Sequence, residues 1–269
     1  MTGSAADDDE VVLHGGFTNE GLVSRVGGTV RRPERDTSAA TRALLEHLER
    51  VGFDGAPRHL GRDEDGREVL SFVDGEAPVE PFPAWALTDG ALASVARLLR
   101  RYHDAVASFD PSAHRWPRPV PSGYDDGLLC HNDPNLDNVV FIGGRAVALI
   151  DFDLAGPGSA VWDVACAARF WAPLRDDRDL PERLRGCSLR RLRLFADAYG
   201  LPDGERARLP AAVRSAHTWA YDVVRDALAD GHGAFSRFWD DGGRARSERT
   251  ARWLEAHEEP MLRALRDPV

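Results

Sequence analysis

The stretch His131-Asn132-Asp133-Pro134-Asn135-Leu136-Asp137-Asn138, followed shortly by Leu149-Ile150-Asp151-Phe152-Asp153, decides how this chain reads. Between them lie Val139-Val140-Phe141-Ile142 and Ala146-Val147-Ala148-Leu149-Ile150, apolar, largely β-branched runs separated by Gly143-Gly144. Two such runs around a glycine pair predict a β-hairpin. A loop from Gly143 to Ala146 would set Asn138 directly opposite Asp151 at the open end, with Cβ atoms about 5 Å apart. A two-residue loop would make them diagonal neighbours, still within reach of one ion. Asp133 then lies in a loop just ahead of the first strand, over the same end.

Phosphoryl transfer to a hydroxyl needs these groups. One carboxylate takes the acceptor's proton, and oxygen ligands hold Mg²⁺ on the nucleotide phosphates. Asp133 is the candidate base, and Asn138 and Asp151 are the candidate metal ligands. A single Asp or Asn in a loop is ordinarily a turn residue or a cap. The combination of His-x-Asp, Asn at the hairpin entrance and Asp-Phe-Asp at its exit is hard to obtain from folding needs alone.

Four blocks then carry a resemblance: Cys130-His131-Asn132-Asp133, Ile150-Asp151-Phe152-Asp153, Ala155-Gly156-Pro157-Gly158 and Trp162-Asp163-Val164-Ala165. Over Cys130 to Leu174 the chain resembles the aminoglycoside phosphotransferase/choline kinase-like family, whose fold is similar to that of eukaryotic protein kinases. A weaker likeness runs from about Val11 to Leu265. The resemblance implies an α+β, protein-kinase-like two-lobe fold, with a small β-rich N-lobe holding one helix and a larger, mainly helical C-lobe. It implies Asp133 as catalytic base, Asn138 and Asp151 as metal ligands, and His131 as scaffold of the catalytic loop. Asp153 stands where protein kinases have glycine and joins the candidate acceptor contacts. Asp163, at the start of a helical run, reads as a helix cap, and the resemblance adds that it braces the catalytic loop.

The chain departs from the family in two places. The family usually has a lysine on its third strand that reaches the nucleotide phosphates, whereas all 34 Lys+Arg residues here are arginine. Strand alternation in Thr29-Val30-Arg31-Arg32 puts Val30 and Arg32 on one face. If Val30 touches adenine, Arg32 points at the phosphates, with Arg31 as the fallback; a guanidinium holds phosphate oxygens in a bidentate fork. The helix that should supply the lysine's glutamate partner reads Ser38 to Glu49 and has Thr41 or Arg42 at the expected position, so no such pair is assigned. Backbone N–H groups of the glycine-rich loop around Gly15, Gly16 and Gly21 are candidates for covering phosphates. By resemblance, backbone groups of Ser71, Phe72 and Val73 would meet the adenine.

Residues 1–10 read as a disordered tail, 11–75 as the nucleotide-binding lobe and 76–269 as the catalytic and substrate-binding lobe. Helices are expected from Asp89, as cap, through Leu92, Val95, Leu99, Tyr102 and Val106, then over Pro181–Tyr199, Pro210–Ala229 and Ala245–Leu265, the last disturbed by Pro260. His103 reads as a packed, hydrogen-bonded histidine. Three cysteines without a Cys-x-x-Cys pair speak against a disulfide frame or zinc site. A net charge of −10 speaks against nucleic acid as partner. No apolar run spans a membrane, and a cytoplasmic setting is expected.

The acceptor is the least legible element. Asp222, Asp226 and Asp230 at helical spacing, with Trp219 and Tyr221 nearby, would suit an amine through charge pairing and cation–π contact; a solvated face with core aromatics is the plainer reading. An aminoglycoside, another aminated antibiotic, a choline-like amine and an uncharged sugar or alcohol stay open. The leading expectation is Mg²⁺-dependent transfer of the γ-phosphate of ATP or GTP to a small-molecule hydroxyl. The alternative is a catalytically weak or inactive kinase-like nucleotide-binding module.

Overall fold

The computed structural model describes residues 10–13, 22–229, 236–237 and 239–266. Gly15, Gly16 and Gly21, expected to cover phosphates, lie outside the described residues, as do Asp230 and the tail apart from Glu10. Glu10 accepts a hydrogen bond from Arg67 at 2.6 Å.

The N-terminal part is an antiparallel sheet of β1 (Val11–Val12), β2 (Ser24–Val26), β3 (Thr29–Arg32), β4 (His59–Arg62) and β5 (Glu68–Ser71), ordered β1-β2-β3-β5-β4. Helix α1 (Ser38–Arg50) packs beside it through Leu44, Leu45 and Leu48, all buried. In register, Val30 faces Leu70 and Arg32 faces Glu68. This cross-strand pairing places an arginine against a carboxylate on the covered side of the sheet.

Beyond β5 the connector is stitched to the hairpin of residues 139–149. Glu76 and Phe141 exchange backbone hydrogen bonds of 2.9 Å in both directions. Gly75 has φ +138°, and a Cβ there would lie 2.5 Å from Val140 Cγ1 and 2.7 Å from the Phe141 oxygen. Only glycine permits that approach.

The rest is mainly helical: α2 (Asp89–Val106), α3 (Ala160–Trp171), α4 (Ser188–Tyr199), α5 (Asp203–Ala229), α6 (Arg244–Ala256) and α7 (Glu258–Arg266). Thr88, rather than Asp89, caps α2, accepting from the Ala91 N–H at 3.2 Å. Asp89 sits one position inside, where it pairs with Arg190 and Arg191. The helix expected from Pro181 starts at Ser188, because Gly186 at φ +70° interrupts the chain. The last helix is two, divided at His257, and Pro260 occupies the first turn of α7, where its missing N–H has no intrahelical acceptor to satisfy. Helix α5 starts at Asp203, ahead of the expected Pro210, and contains that proline. Trp162, Trp171, Tyr102 and Phe195 anchor the core around α2, α3 and α4. Among the described residues no helix is long and apolar enough to cross a membrane.

Candidate active site

Strand β6 (Leu128–Cys130) pairs with β9 (Gly156–Gly158), and the hairpin β7 (Val139–Ile142)/β8 (Arg145–Leu149) lies between them in sequence. The hairpin turn is two residues, not four. Gly143 and Gly144 have φ +58° and +77°, the geometry a tight primed turn demands. A register shift between Val140 and Phe141 then moves Asn138 opposite Ile150, whose N–H donates to the Asn138 carbonyl at 2.9 Å. Asp151 is the next residue, with φ +60°. An aspartate tolerates this left-handed conformation better than most side chains, and here it carries the chain sharply out of the strand.

The loop between β6 and β7 is held from beneath by α3. One Asp163 oxygen accepts the His131 N–H and the other the Asn132 N–H, both at 2.8 Å. His103 Nε2 adds a third bond to Asp163 at 2.9 Å, and its Nδ1 meets the Tyr199 hydroxyl at 2.7 Å. Burial alone would raise the Asp163 carboxyl; the His103 hydrogen bond and charge outweigh it and hold the group below the usual carboxylate range. Asp163 therefore braces the loop, while its expected role as a helix cap is not what its side chain does: Ser159 holds the cap position of α3. Cys130 lies beside His103 and Asp163, but the two carboxylate oxygens are already occupied by N–H donors.

His131 is fully buried, its Nε2–H donates to the Ile150 carbonyl at 3.0 Å, and its ring lies 4.6 Å from that of Phe152. Burial pushes its imidazole down. It joins the loop to the hairpin exit as a scaffold. Asn132, which the sequence reading did not single out, has φ +67°, donates to the Leu154 carbonyl and accepts from the Trp162 indole, each at 2.9 Å. Trp171 donates to the Pro134 carbonyl at 2.8 Å.

These bonds bring the three candidate residues to one mouth. Asn138 Nδ2 donates to the Asp133 carbonyl at 2.9 Å and to its Oδ2 at 3.2 Å, so its side-chain oxygen is the atom left to offer a ligand. Asn135, also missed, donates to both Asp133 oxygens at 3.3 Å while its own oxygen accepts the Asn138 N–H at 3.2 Å. Asp151 Oδ1 is buried without a hydrogen-bond partner. Desolvation, then the neighbouring Asp151 charge, raises the Asp133 carboxyl well above its ordinary value. Desolvation and Asp153 push Asp151 up to about 6. Two covered carboxylates and an orphaned oxygen fit a hard divalent cation, which supplies the missing charge.

Arg32 turns inward. Its Nε lies 3.0 Å from Glu68 and its Nη1 2.7 Å from Asp153, and Ser38 Oγ donates to the same Glu68 oxygen at 3.0 Å. Asp153 also lies 3.4 Å from Arg35. The acid that partners this arginine thus comes from β5 and not from α1, an inward charged position in β5 that alternation alone could have flagged. Arg31 points elsewhere, 3.8 Å from Asp63. Ser71 and Phe72 donate their amides to the Arg58 and Gly28 carbonyls at 2.8 Å, so those two N–H groups belong to the sheet; Val73 follows, half-buried.

On the acceptor side, Trp219 is core rather than an open aromatic face, donating to the Pro119 carbonyl at 2.9 Å and edge-on to Trp162. Asp222 and Asp226 are held by Arg225 and Arg118 at 2.6 and 2.7 Å.

A family model described as the phosphotransferase enzyme family matches residues 22–209. The chain is 34% identical to the trifolitoxin immunity protein of Rhizobium leguminosarum bv. trifolii, covering 96% of this chain and 99% of that protein. It is 30% identical to a homoserine kinase of Brucella anthropi over 65% of this chain and 49% of that one. Among solved structures, a choline/ethanolamine kinase family protein from Mesorhizobium loti superposes with a TM-score of 0.65 at 17% identity, covering 98% and 94% of the two chains. The expected α+β, protein-kinase-like fold is therefore present. With residues 22–209 matched by that model, the chain belongs to the phosphotransferase enzyme family.

Proposed function

We propose that the protein is a small-molecule kinase that moves the γ-phosphate of ATP or GTP to a hydroxyl, with Mg²⁺ as cofactor. One observation carries this reading: Asn138 is bonded to Asp133 while the covered Asp151 oxygen beside them has no partner within the protein. Asp133 orients the acceptor hydroxyl and takes its proton. Asn138 and Asp151 hold the cation, which when bound offsets phosphate charge during transfer. Arg32 lies close enough to Asp151 to feel its charge and is the cation for the nucleotide phosphates once Asp153 releases it. The backbone from Ser71 to Val73 is the proposed adenine edge.

The names of the relatives widen the acceptor question to amino alcohols and hydroxy amino acids. Replacing Asp133 with Ala should reduce turnover by about 10²–10⁴, the usual worth of a positioned base, while MgATP still binds in a calorimetric titration. Unchanged turnover would overturn the assignment. A second reading, nucleotide binding without transfer, draws on Arg32 being engaged by both Glu68 and Asp153. MgATP binding without phosphorylation of any hydroxyl compound in a broad panel would favour it.

A further inference from the structure

The C-terminal end of α3, from which Trp171 donates to the Pro134 carbonyl next to Asp133 at 2.8 Å, carries a cation. Arg169, in the last turn of α3, donates from Nη1 to the Ala216 carbonyl of α5 at 2.7 Å, which wedges its guanidinium between the two helices. Its Nε is shielded from solvent and has no hydrogen-bond partner. Among the described residues no carboxylate lies within ion-pairing distance of it. Asp133 is the acid whose charge reaches it. Arg175 stands behind, 3.5 Å from the Arg169 carbonyl, also without an ion pair among the described residues. Asp179, an acid near enough to act on Arg175, is already clamped by Arg249 through two bonds, one of 3.0 Å. Glu80 acts on Arg175 only from a distance.

Arg169 is half-buried and its guanidinium lies over the Phe170 ring at 4.8 Å, but no acid pairs with it among the described residues, whereas a shielded guanidinium ordinarily has one. Its fork matches two oxygens of a carboxylate or phosphate. Among the described residues of the outer acidic face, Asp222 and Asp226 are each already paired with an arginine, which weakens their draw on an amine. We propose that the acceptor is an anionic hydroxyl compound whose carboxylate or phosphate is gripped by Arg169, with Arg175 adding positive field behind it. This rests on the phosphotransfer reading above. In the step itself the acceptor oxygen forms a bond to the γ-phosphorus, the bond to the β–γ bridging oxygen breaks, and the nucleoside diphosphate leaves with that electron pair. The hydroxyl proton goes to the Asp133 carboxylate. Arg169 touches the acceptor's charged end, which makes it a specificity-determining residue.

The test compares matched acceptors: L-homoserine against its amide, 4-hydroxybutyrate against 1,4-butanediol, and glycerol 3-phosphate against glycerol, with ethanolamine as the cationic member. The full chain with MgATP should release ADP at least about ten-fold faster, in kcat/KM, with an anionic member than with its partner. The acid and phosphate arms identify which oxyanion is read. Arg169→Met should erase that preference through KM, Arg169→Lys should restore it in part, and Arg175→Gln should weaken it should Arg169→Met fail to fold. Preference for the neutral or cationic members would overturn the inference and leave the kinase reading standing. So would an equal fall in kcat for every member in Arg169→Met, which would assign the guanidinium to the phosphoryl group in transit. If no member releases ADP, phosphotransfer is what has failed. The same compounds titrated calorimetrically into protein holding Mg²⁺ and a non-hydrolysable ATP analogue then decide the inference. Anion binding that Arg169→Met abolishes upholds it, and absence of any anion preference ends it.

Discussion

Helix α3 carries a charge at each end, Asp163 buried and Arg169 half-buried, and treats the two in opposite ways. In its first turn, Asp163 receives two backbone N–H groups and a histidine N–H, and its carboxyl is held below the usual range. In its last turn, Arg169 has one carbonyl partner, a shielded Nε without any, and a guanidinium that burial pushes down. One end is a finished structural device. The other resembles Asp133 and Asp151, which are also desolvated against their charge. The two ends of one helix thus differ: Asp163, which holds the loop, is satisfied within the protein, and Arg169 keeps an Nε that the protein does not satisfy.

The largest expected effect breaks this contrast at its satisfied end. Asp163→Ala leaves two loop amides and His103 unpaired in the core, and should lower unfolding free energy by about 3–5 kcal/mol, as when one member of a buried charged pair is removed. Urea unfolding of the variant beside Arg169→Met measures it. Arg169→Met should lose about 1 kcal/mol or less, because one carbonyl bond is given up while an uncompensated charge is removed. Equal losses at the two ends would dissolve the distinction.

The satisfied end was less legible in the sequence than the unsatisfied one. Asp133, Asn138 and Asp151 stood out because an apolar hairpin brackets them and because each residue type matches one task in a known chemistry. The partnership of His103 with Asp163 joins α2 to α3 across the core, and no local pattern encodes it. Asn132 and Asn135 were hidden for another reason: loop asparagines ordinarily serve turns, and only the left-handed φ of Asn132 with its two long-range bonds gives it another role. The hairpin itself was predicted, but its register was not. A bulge at Val147, opposite the step from Val140 to Phe141, adds one residue that alternating hydrophobicity cannot reveal, and it decides whether Asn138 meets Leu149 or Ile150. Arg169 did leave a signal, a lone cation in the apolar run Val164-Ala165-Cys166-Ala167-Ala168-Arg169-Phe170-Trp171.

A smaller effect sharpens the contrast through pH. His217, one residue past the Arg169 partner Ala216, uses Nε2 to reach the Ser247 carbonyl at 3.0 Å. Burial, then the Arg169 and Arg175 charges, pushes its imidazole down to about 4. The unfolded chain, with an ordinary histidine near pH 6.5, binds a proton that the native state refuses between those values. Native stability therefore rises with pH across that window and is lost as pH falls through it. For a half-buried ring the contribution is about 1–2 kcal/mol. His217→Asn should flatten the slope of unfolding free energy between pH 4 and 6.5, whereas a slope unchanged by the substitution would show that the Arg169 and Arg175 charges do not reach His217.

Asp151 gives the smallest effect on stability and the sharpest separation of stability from function. Its covered Oδ1 has no partner, and Asp153 adds like charge from two residues away. Without cation or nucleotide, Asp151→Asn removes a desolvated negative charge from a site that already holds Asp133, so the variant should be more stable. A gain of about 1 kcal/mol corresponds to about 2–4 °C in Tm for a chain of this size class. The same variant should lose the Mg²⁺-dependent part of its nucleotide affinity, because the amide keeps the shape and gives up the charge that a hard cation requires. Thermal melts in EDTA, paired with ATP titrations with and without Mg²⁺, test both halves together. A variant that melts lower while binding MgATP normally would make Asp151 a structural residue and move the cation site elsewhere in the cleft.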